Sequence, residues 1–218
     1  IRARMADPIN LGQHYFLWEI ATAIAGSHLG INAFDQPNVQ ESKDYTKKYL
    51  EAFNKTGRLP DSTPLLTDGG IQVYTDEQNA GPLKGLASLE NVLTAHLDRV
   101  GRGDYVAINA YVERTEAVHA IFQRIRTAIG HKKQVATTLG YGPRFLHSTG
   151  QLHKGGPNSG VYIQITCDDP ADLSIPGESY SFGVLKAAQA LGDMQSLTSR
   201  NRRVIRIHLG GDVEKGLA

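Results

Sequence analysis

The sequence predicts an α/β fold, a doubly wound and mainly parallel sheet of the Rossmann-like type with helices on both faces, preceded by an N-terminal helical segment. From residue 104 onward, short apolar runs alternate with stretches of helical periodicity. Strands that alternate with helices pair in parallel, and right-handed crossovers place those helices on both faces. With 218 residues, 40% of them hydrophobic, the chain can form one sizeable core.

The first part of the chain is predicted to be helical. Residues 11–29 are apolar most of the way round a helix that stops at Gly30. So wide an apolar surface predicts cover from another domain or subunit. A second helix, with charged residues on its outer face, covers about residues 39–53 and stops at Gly57.

The middle of the chain is rich in turns. Residues 58–83 contain glycine and proline clusters around one strand at residues 71–74, and residues 84–99 have the periodicity of an amphipathic helix. The composition therefore favours a linker or insertion here. We expect three segments, namely a helical segment (1–57), a linker or insertion with one helix (58–103) and an α/β domain (104–218).

Four strands and three helices are predicted in the last segment. Its apolar runs end in turns, and its helical stretches begin at serine or threonine and end near glycine or polar residues. The strands are expected at residues 104–112, 134–138, 161–166 and 203–209, and the helices at 115–129, near 148–154 and at 181–199. The carboxyl ends of such strands form the expected binding edge.

Composition excludes several classes of function. A net charge of +1 gives no electrostatic case for nucleic acid, and no apolar run reaches the ~18 residues of a membrane span. The one cysteine, Cys167, has no CxxC partner. We expect it to act as a small apolar residue at the end of a strand. A lone thiol predicts a reducing compartment, the cytoplasm. The histidines lack metal-site spacing, so no metal is expected. The start at Ile1 predicts a fragment of a longer polypeptide.

The loop after the first helix, residues 30–43, is more polar than a turn requires. Asp35 and Asn38 are typical of helix starts, where their side chains accept orphan N–H groups. Lys43 lies in the first turns of the next helix. It is either a solvated surface lysine or a donor to a sugar oxygen, where it would neutralise developing negative charge.

The glycine-rich loop after the second strand of the α/β segment, residues 139–157, collects many polar side chains at the expected binding edge. Histidine suits proton transfer near neutral pH, and arginine suits a phosphate. The alternative is a loop capped by hydroxyls with incidental histidines. The candidate residues are Arg144, His147, Ser148, Thr149, Gln151 and His153.

Both loops resemble segments of glucose-6-phosphate isomerases. Residues 30–43, GINAFDQPNVQESK, resemble the family's NPFDQP-type segment, whose final lysine is an active-site residue and corresponds to Lys43. Residues 147–157, HSTGQLHKGGP, resemble the active-site histidine segment, with His147 and Gln151 at the matching positions. The run at 141–158, YGPRFLHSTGQLHKGGPN, is similar to the isomerase portion of bifunctional transaldolase/glucose-6-phosphate isomerases. The likeness covers roughly residues 1–43 and 104–216.

The resemblance implies a sugar-isomerase fold and isomerisation of glucose 6-phosphate and fructose 6-phosphate through a cis-enediol, without a cofactor. His147 and Lys43 would assist ring opening, and Arg144, Ser148, Thr149 and Gln151 would bind substrate. In the family the histidine can come from a neighbouring subunit of a homo-oligomer, so Lys43 and His147 need not meet within one chain.

The chain also departs from the family pattern. Here the histidine segment follows the lysine segment, whereas the family order is the reverse. The glutamate that shuttles the proton and the phosphate-binding serine/threonine loop have no counterpart and are expected upstream of Ile1, as is the transaldolase barrel. The fragment alone is therefore expected to be inactive. The alternative is a non-catalytic sugar-phosphate-binding or oligomerisation module.

Overall fold

The computed structural model describes residues 4–60 and 62–217. Residues 1–3, 61 and 218 lie outside this part, as do the portions of the predicted segments that contain them. The chain divides into two compact units, residues 1–36 and 37–218. This division differs from the expected boundaries after residues 57 and 103, because the second helix and the turn-rich stretch both pack into the second unit.

The first unit is built on α1 (Leu11–Leu29), which has the predicted bounds. Gly30 ends it at φ 70°, a left-handed conformation that glycine adopts without strain. Its large side chains are exposed, among them Tyr15 at 63% and Trp18 at 60%. Across the described helices of both units, none has both the length and the apolar character needed to cross a membrane.

The second unit contains a six-stranded mixed sheet with the order β1-β2-β6-β5-β3-β4. The last four strands of that order are parallel, whereas the hairpin β1–β2 joins the edge of β6 antiparallel. The predicted α/β class, mainly parallel and doubly wound, is therefore confirmed. The strands are β1 (Leu66–Asp68), β2 (Ile71–Tyr74), β3 (Tyr105–Tyr111), β4 (Ala136–Tyr141), β5 (Gly160–Thr166) and β6 (Arg203–His208).

One face of the sheet is apolar. Alternate residues of the central strands, such as Ile108, Ile163 and Ile205, point to this face and are nearly inaccessible to solvent. Burial of so much aliphatic surface is the main stabilising contribution to this side of the fold. Three helices cover it, namely α4 (Leu89–Leu97), α5 (Glu116–Lys133) and α8 (Val213–Leu217).

The opposite face carries polar residues beneath its helices. Tyr162 and Gln164 of β5 and Asn109 of β3 are buried there, and Gln164 Nε2 donates to the carbonyl oxygen of Ala190 at 3.0 Å. Helices α6 (Gly150–Gly155) and α7 (Phe182–Thr198) lie on this face, and α2 (Pro37–Thr56) packs on both of them. The short α3 (Glu77–Ala80) follows β2 in the chain.

Several boundaries differ from the prediction for local reasons. Strand β1 escaped prediction because it is three residues long and is recognised only by its pairing with β2. The helix predicted to end at residue 129 continues as α5 to Lys133, where Gln134 takes a left-handed φ of 55°. Helix α4 begins at residue 89 and not at 84, because Ser88 caps it by accepting the N–H of Asn91 at 3.3 Å.

The sheet has a topological switch point between β3 and β5. The chain leaves β3 towards β4 on one side, and later enters β5 on the other side. In open α/β sheets, ligands bind outside the carboxyl ends of the strands near such a point. The loops after β3 and β5 therefore flank the place where a site is expected.

Candidate functional site

The start of α2 holds the end of the FDQP segment. Pro37 opens the helix, where its fixed φ and missing N–H are tolerated. The N–H of Asn38 donates to Gln151 Oε1 at 3.1 Å, and Gln151 Nε2 donates to Asn38 Oδ1 at 2.8 Å. The start of α2 is therefore capped by Gln151, a side chain from α6 that is distant in the sequence. The sequence had indicated the nearby side chains of Asp35 or Asn38 as the acceptors of such N–H groups.

Helix α2 is held against α7 by a second set of contacts. Glu41 Oε2 accepts from Arg200 Nη2 at 2.7 Å and from Ser196 Oγ at 3.2 Å. Burial alone would raise the pKa of Glu41, but the hydrogen bonds and charge of Arg200 outweigh it, so the pKa is lowered. Further along, Gly192 allows close approach, since a Cβ there would lie 2.8 Å from Thr46 Oγ1.

The histidine segment forms a 3-10 turn, Arg144–His147, followed by α6. Phe145 anchors the turn, because its ring is buried edge-on against Tyr111 with centroids 5.6 Å apart. Arg144, His147 and Ser148 are exposed around this anchor. The fold thus holds the backbone of this turn in place while the imidazole of His147 remains open to solvent.

Two residues in the last turn of α6, His153 and Lys154, face the core. Lys154 and Asp193 of α7 form an ion pair at 2.6 Å with both side chains fully buried. His153 is also buried, and burial lowers its pKa to about 4. Arg202 Nη2 donates to the carbonyl oxygens of Lys154 and Gly156 at 2.6 and 2.7 Å, which satisfies the C-terminal end of α6. His153 is therefore a neutral core histidine, whereas His147 is accessible.

A cleft of about 220 Å³ lies between α2, the 3-10 turn and α7. Lys43 and His147 both line it, together with Val39, Ser42, Thr46, Lys47, Leu50, Leu146 and Gln189. We call it the Lys–His cleft. Complete small-molecule sites usually enclose about 300–1,000 Å³, so a whole sugar phosphate would need further walls.

Four other predicted site residues lie around this cleft without lining it. Arg144 and Ser148 are exposed, and Ser148 Oγ donates to the carbonyl oxygen of Phe145 at 3.1 Å. Thr149 occupies the position before α6 without a side-chain cap bond. Gln151 uses both ends of its amide on Asn38, so its part here is to join the two motifs.

A second and larger cleft, of about 450 Å³, was not predicted. It lies beside the carboxyl ends of β5 and β6 and is lined by Tyr74, Thr166, Asp168, Lys186, Arg206 and His208, among others. We call it the edge cleft. Two features of the sequence could have indicated this cleft, namely the polar run Thr166–Asp169 after one strand and His208 at the end of the next strand. Cys167 also lines it, and burial raises the pKa of its thiol.

Polar contacts order the wall of the edge cleft. Thr166 Oγ1 lies 3.1 Å from His208 Nδ1, and His208 Nε2 lies 3.3 Å from Asp168 Oδ1. Lys186 pairs with Asp169. Within the described part of the chain, no group of three or more His, Cys, Asp or Glu side chains is placed to hold a metal ion.

Comparison with known proteins finds similar solved structures but no family. No protein-family model matches the chain, and no curated protein is significantly similar to it. The crystal structure of a hypothetical protein, TT0462 from Thermus thermophilus, is similar with a TM-score of 0.46 and 19% identity. The similarity covers 61% of this chain and only 39% of that protein.

Proposed function

We propose that the chain is the C-terminal part of a glucose-6-phosphate isomerase module, in which Lys43 and His147 act together on a sugar phosphate. The observation that supports the proposal is their convergence. Two side chains far apart in the sequence, each matching an active-site position of that family, line the same cleft within one chain. Neither residue needs a second copy of the chain to reach the other.

The reaction is an aldose–ketose isomerisation without change of oxidation state overall. Ring opening removes the proton of the C1 hydroxyl and supplies one to the ring oxygen. An exposed imidazole can carry out both transfers near neutral pH, which is the task of His147. The Lys43 ammonium stabilises the negative charge that develops on the sugar oxygens as the enediolate forms.

The base that moves the proton between C2 and C1 comes from outside the Lys–His cleft. The described residues that line the cleft include no carboxylate. Glu41, the nearest glutamate in the sequence, is occupied by Arg200 and Ser196, and its lowered pKa makes it a weak base. The proposal therefore places the glutamate in the upstream part of a longer polypeptide, fused in turn to a transaldolase.

The test is a coupled assay that follows conversion of fructose 6-phosphate to glucose 6-phosphate. The full-length polypeptide and this chain are compared, each with His147→Ala and Lys43→Met. Matched controls are His131→Ala and Lys55→Met, which remove exposed side chains outside the Lys–His cleft. We expect His147→Ala to lower turnover of the full-length polypeptide by about 10²–10⁴-fold. The two control variants should change turnover less than twofold. This chain alone should show no turnover.

The alternative is a non-catalytic sugar-phosphate-binding or oligomerisation module. The absence of a carboxylate among the described residues lining the Lys–His cleft favours it. Normal turnover of the full-length His147→Ala variant would establish this alternative and refute the isomerase proposal. Cytoplasmic location, assembly into homo-oligomers and the fusion to a transaldolase stay predictions that accompany the first proposal.

A further inference from the structure

We infer that the edge cleft is a second ligand site, which takes a phosphorylated sugar or polyol with its phosphate on Arg206 and its hydroxyl groups near Asp168 and Asp169. The site is separate from the Lys–His cleft, because the two clefts share no lining residue. It lies at the carboxyl edge of the parallel strands, where doubly wound sheets bind ligands. Its volume of about 450 Å³ is within the usual range for a small-molecule site.

Arg206 is the residue that indicates an anionic ligand. Its guanidinium lies over the ring of Tyr74, 4.1 Å from the centroid. Among the residues that the structure describes, it has neither an ion-pair nor a hydrogen-bond partner, although burial is sufficient to lower its pKa. Arginine presents five N–H donors in a planar fork that matches phosphate. A partly buried guanidinium with unused donors, facing a cleft, is what a bound phosphate would satisfy.

The other charged groups that the structure describes in the lining of the edge cleft are already paired. Lys186 contacts Asp169, and His208 lies between Thr166 and Asp168. Among the described lining residues, Arg206 is therefore the cation that a ligand can neutralise without breaking an ion pair or a hydrogen bond.

The distribution of charge along β6 selects the class of ligand. Arg206 precedes His208 by two residues on the same face of the strand, so its backbone lies about 7 Å deeper, at ~3.3 Å per residue. Asp168, beyond the strand end, is 69% exposed. Carboxylates at the mouth accept hydroxyl groups but repel a second anion. A molecule with one phosphate and several hydroxyl groups fits this arrangement better than inorganic phosphate alone.

The experiment is calorimetric titration of the chain with glucose 6-phosphate, inorganic phosphate and glucose. We expect glucose 6-phosphate to bind at least tenfold more tightly than phosphate, with no detectable binding of glucose. Arg206→Gln should weaken glucose 6-phosphate at least tenfold, while Arg124→Gln, an exposed arginine on α5, should change it less than twofold. Unchanged affinity in Arg206→Gln, no binding to the wild type, or equal affinity for phosphate and the sugar phosphate would overturn the inference.

A second measurement needs no variant at Arg206. Phenylglyoxal modifies accessible guanidinium groups, and mass spectrometry locates the product. Glucose 6-phosphate should slow modification of Arg206 at least fivefold and leave Arg124 unchanged; equal rates with and without the ligand at Arg206 would contradict the inference. Both measurements are repeated in His147→Ala, where binding should persist, so that failure of the isomerase proposal and failure of this one give different results.

Discussion

Replacing Lys154 by Met tests how the helices around the Lys–His cleft are held together. Lys154 Nζ lies 2.6 Å from Asp193 Oδ1, and both side chains are fully buried. Methionine keeps the length and flexibility of the lysine stem, so little packing is lost. What remains is a buried carboxylate without its cation, next to the Tyr111 hydroxyl and with a long hydrogen bond from Gln164 Nε2 at 3.4 Å.

The expected cost is therefore that of breaking a buried ion pair, about 3–5 kcal/mol. This is a large fraction of the ~5–15 kcal/mol by which folded domains are usually stable. The double variant Lys154→Met/Asp193→Leu removes both charges and fills their space with apolar atoms. It should recover at least about 2 kcal/mol relative to Lys154→Met, since an apolar pair avoids the uncompensated charge.

Urea unfolding followed by circular dichroism measures both effects. The control is Lys47→Met, which removes an exposed i,i+4 pair with a 3.9 Å separation and should cost less than about 0.5 kcal/mol. If Lys154→Met unfolds at the same urea concentration as the control, the buried pair does not hold α6 on α7 and the reasoning is refuted.

Two further predictions concern the folded state. Burial lowers the pKa of His96 to about 3 and that of His153 to about 4, whereas an unfolded histidine has a pKa near 6.5. The unfolded state therefore takes up protons first as the pH falls. The free energy of unfolding is complete above pH 6.5 and falls by about 2 kcal/mol per histidine as the pH drops to about 4.5. Urea midpoints that do not change between pH 7.5 and 4.5 would contradict this. Gly192→Ala should cost about 1–3 kcal/mol, because its Cβ would lie 2.8 Å from Thr46 Oγ1 and push α2 off α7. Gly211→Ala has open space and should be close to neutral, so equal unfolding midpoints for the two variants would show that the helices do not approach this closely.

The sequence predicted the elements whose signals are local. Helix α1 has the expected bounds, because its apolar run and the stop at Gly30 are adjacent in the chain. Strands β3, β5 and β6 were predicted from runs of apolar residues. Such runs occur because both faces of these strands are buried. Strand β1 was missed, because three residues carry no periodicity and the strand depends on its pairing with β2.

The candidate site was only partly predictable for the same reason. The resemblance indicated Lys43 and His147, but not that they share a cleft within one chain. The amide of Gln151 is used on Asn38, a contact between distant parts of the sequence that no local pattern reveals. The edge cleft was missed because its arginine, Arg206, lies inside a strand, where the pattern indicated only core.

The most direct test of the central claim is a double-variant cycle on Lys43 and His147 in the full-length polypeptide. The coupled isomerase assay gives kcat/KM for wild type, Lys43→Met, His147→Ala and the double variant. If both groups act on one substrate in one cleft, the double variant should lose little more activity than the worse single variant, because residues that act as a unit are not additive. Losses that multiply would show that the two residues act independently and not as a unit, and full activity in both single variants would contradict the account.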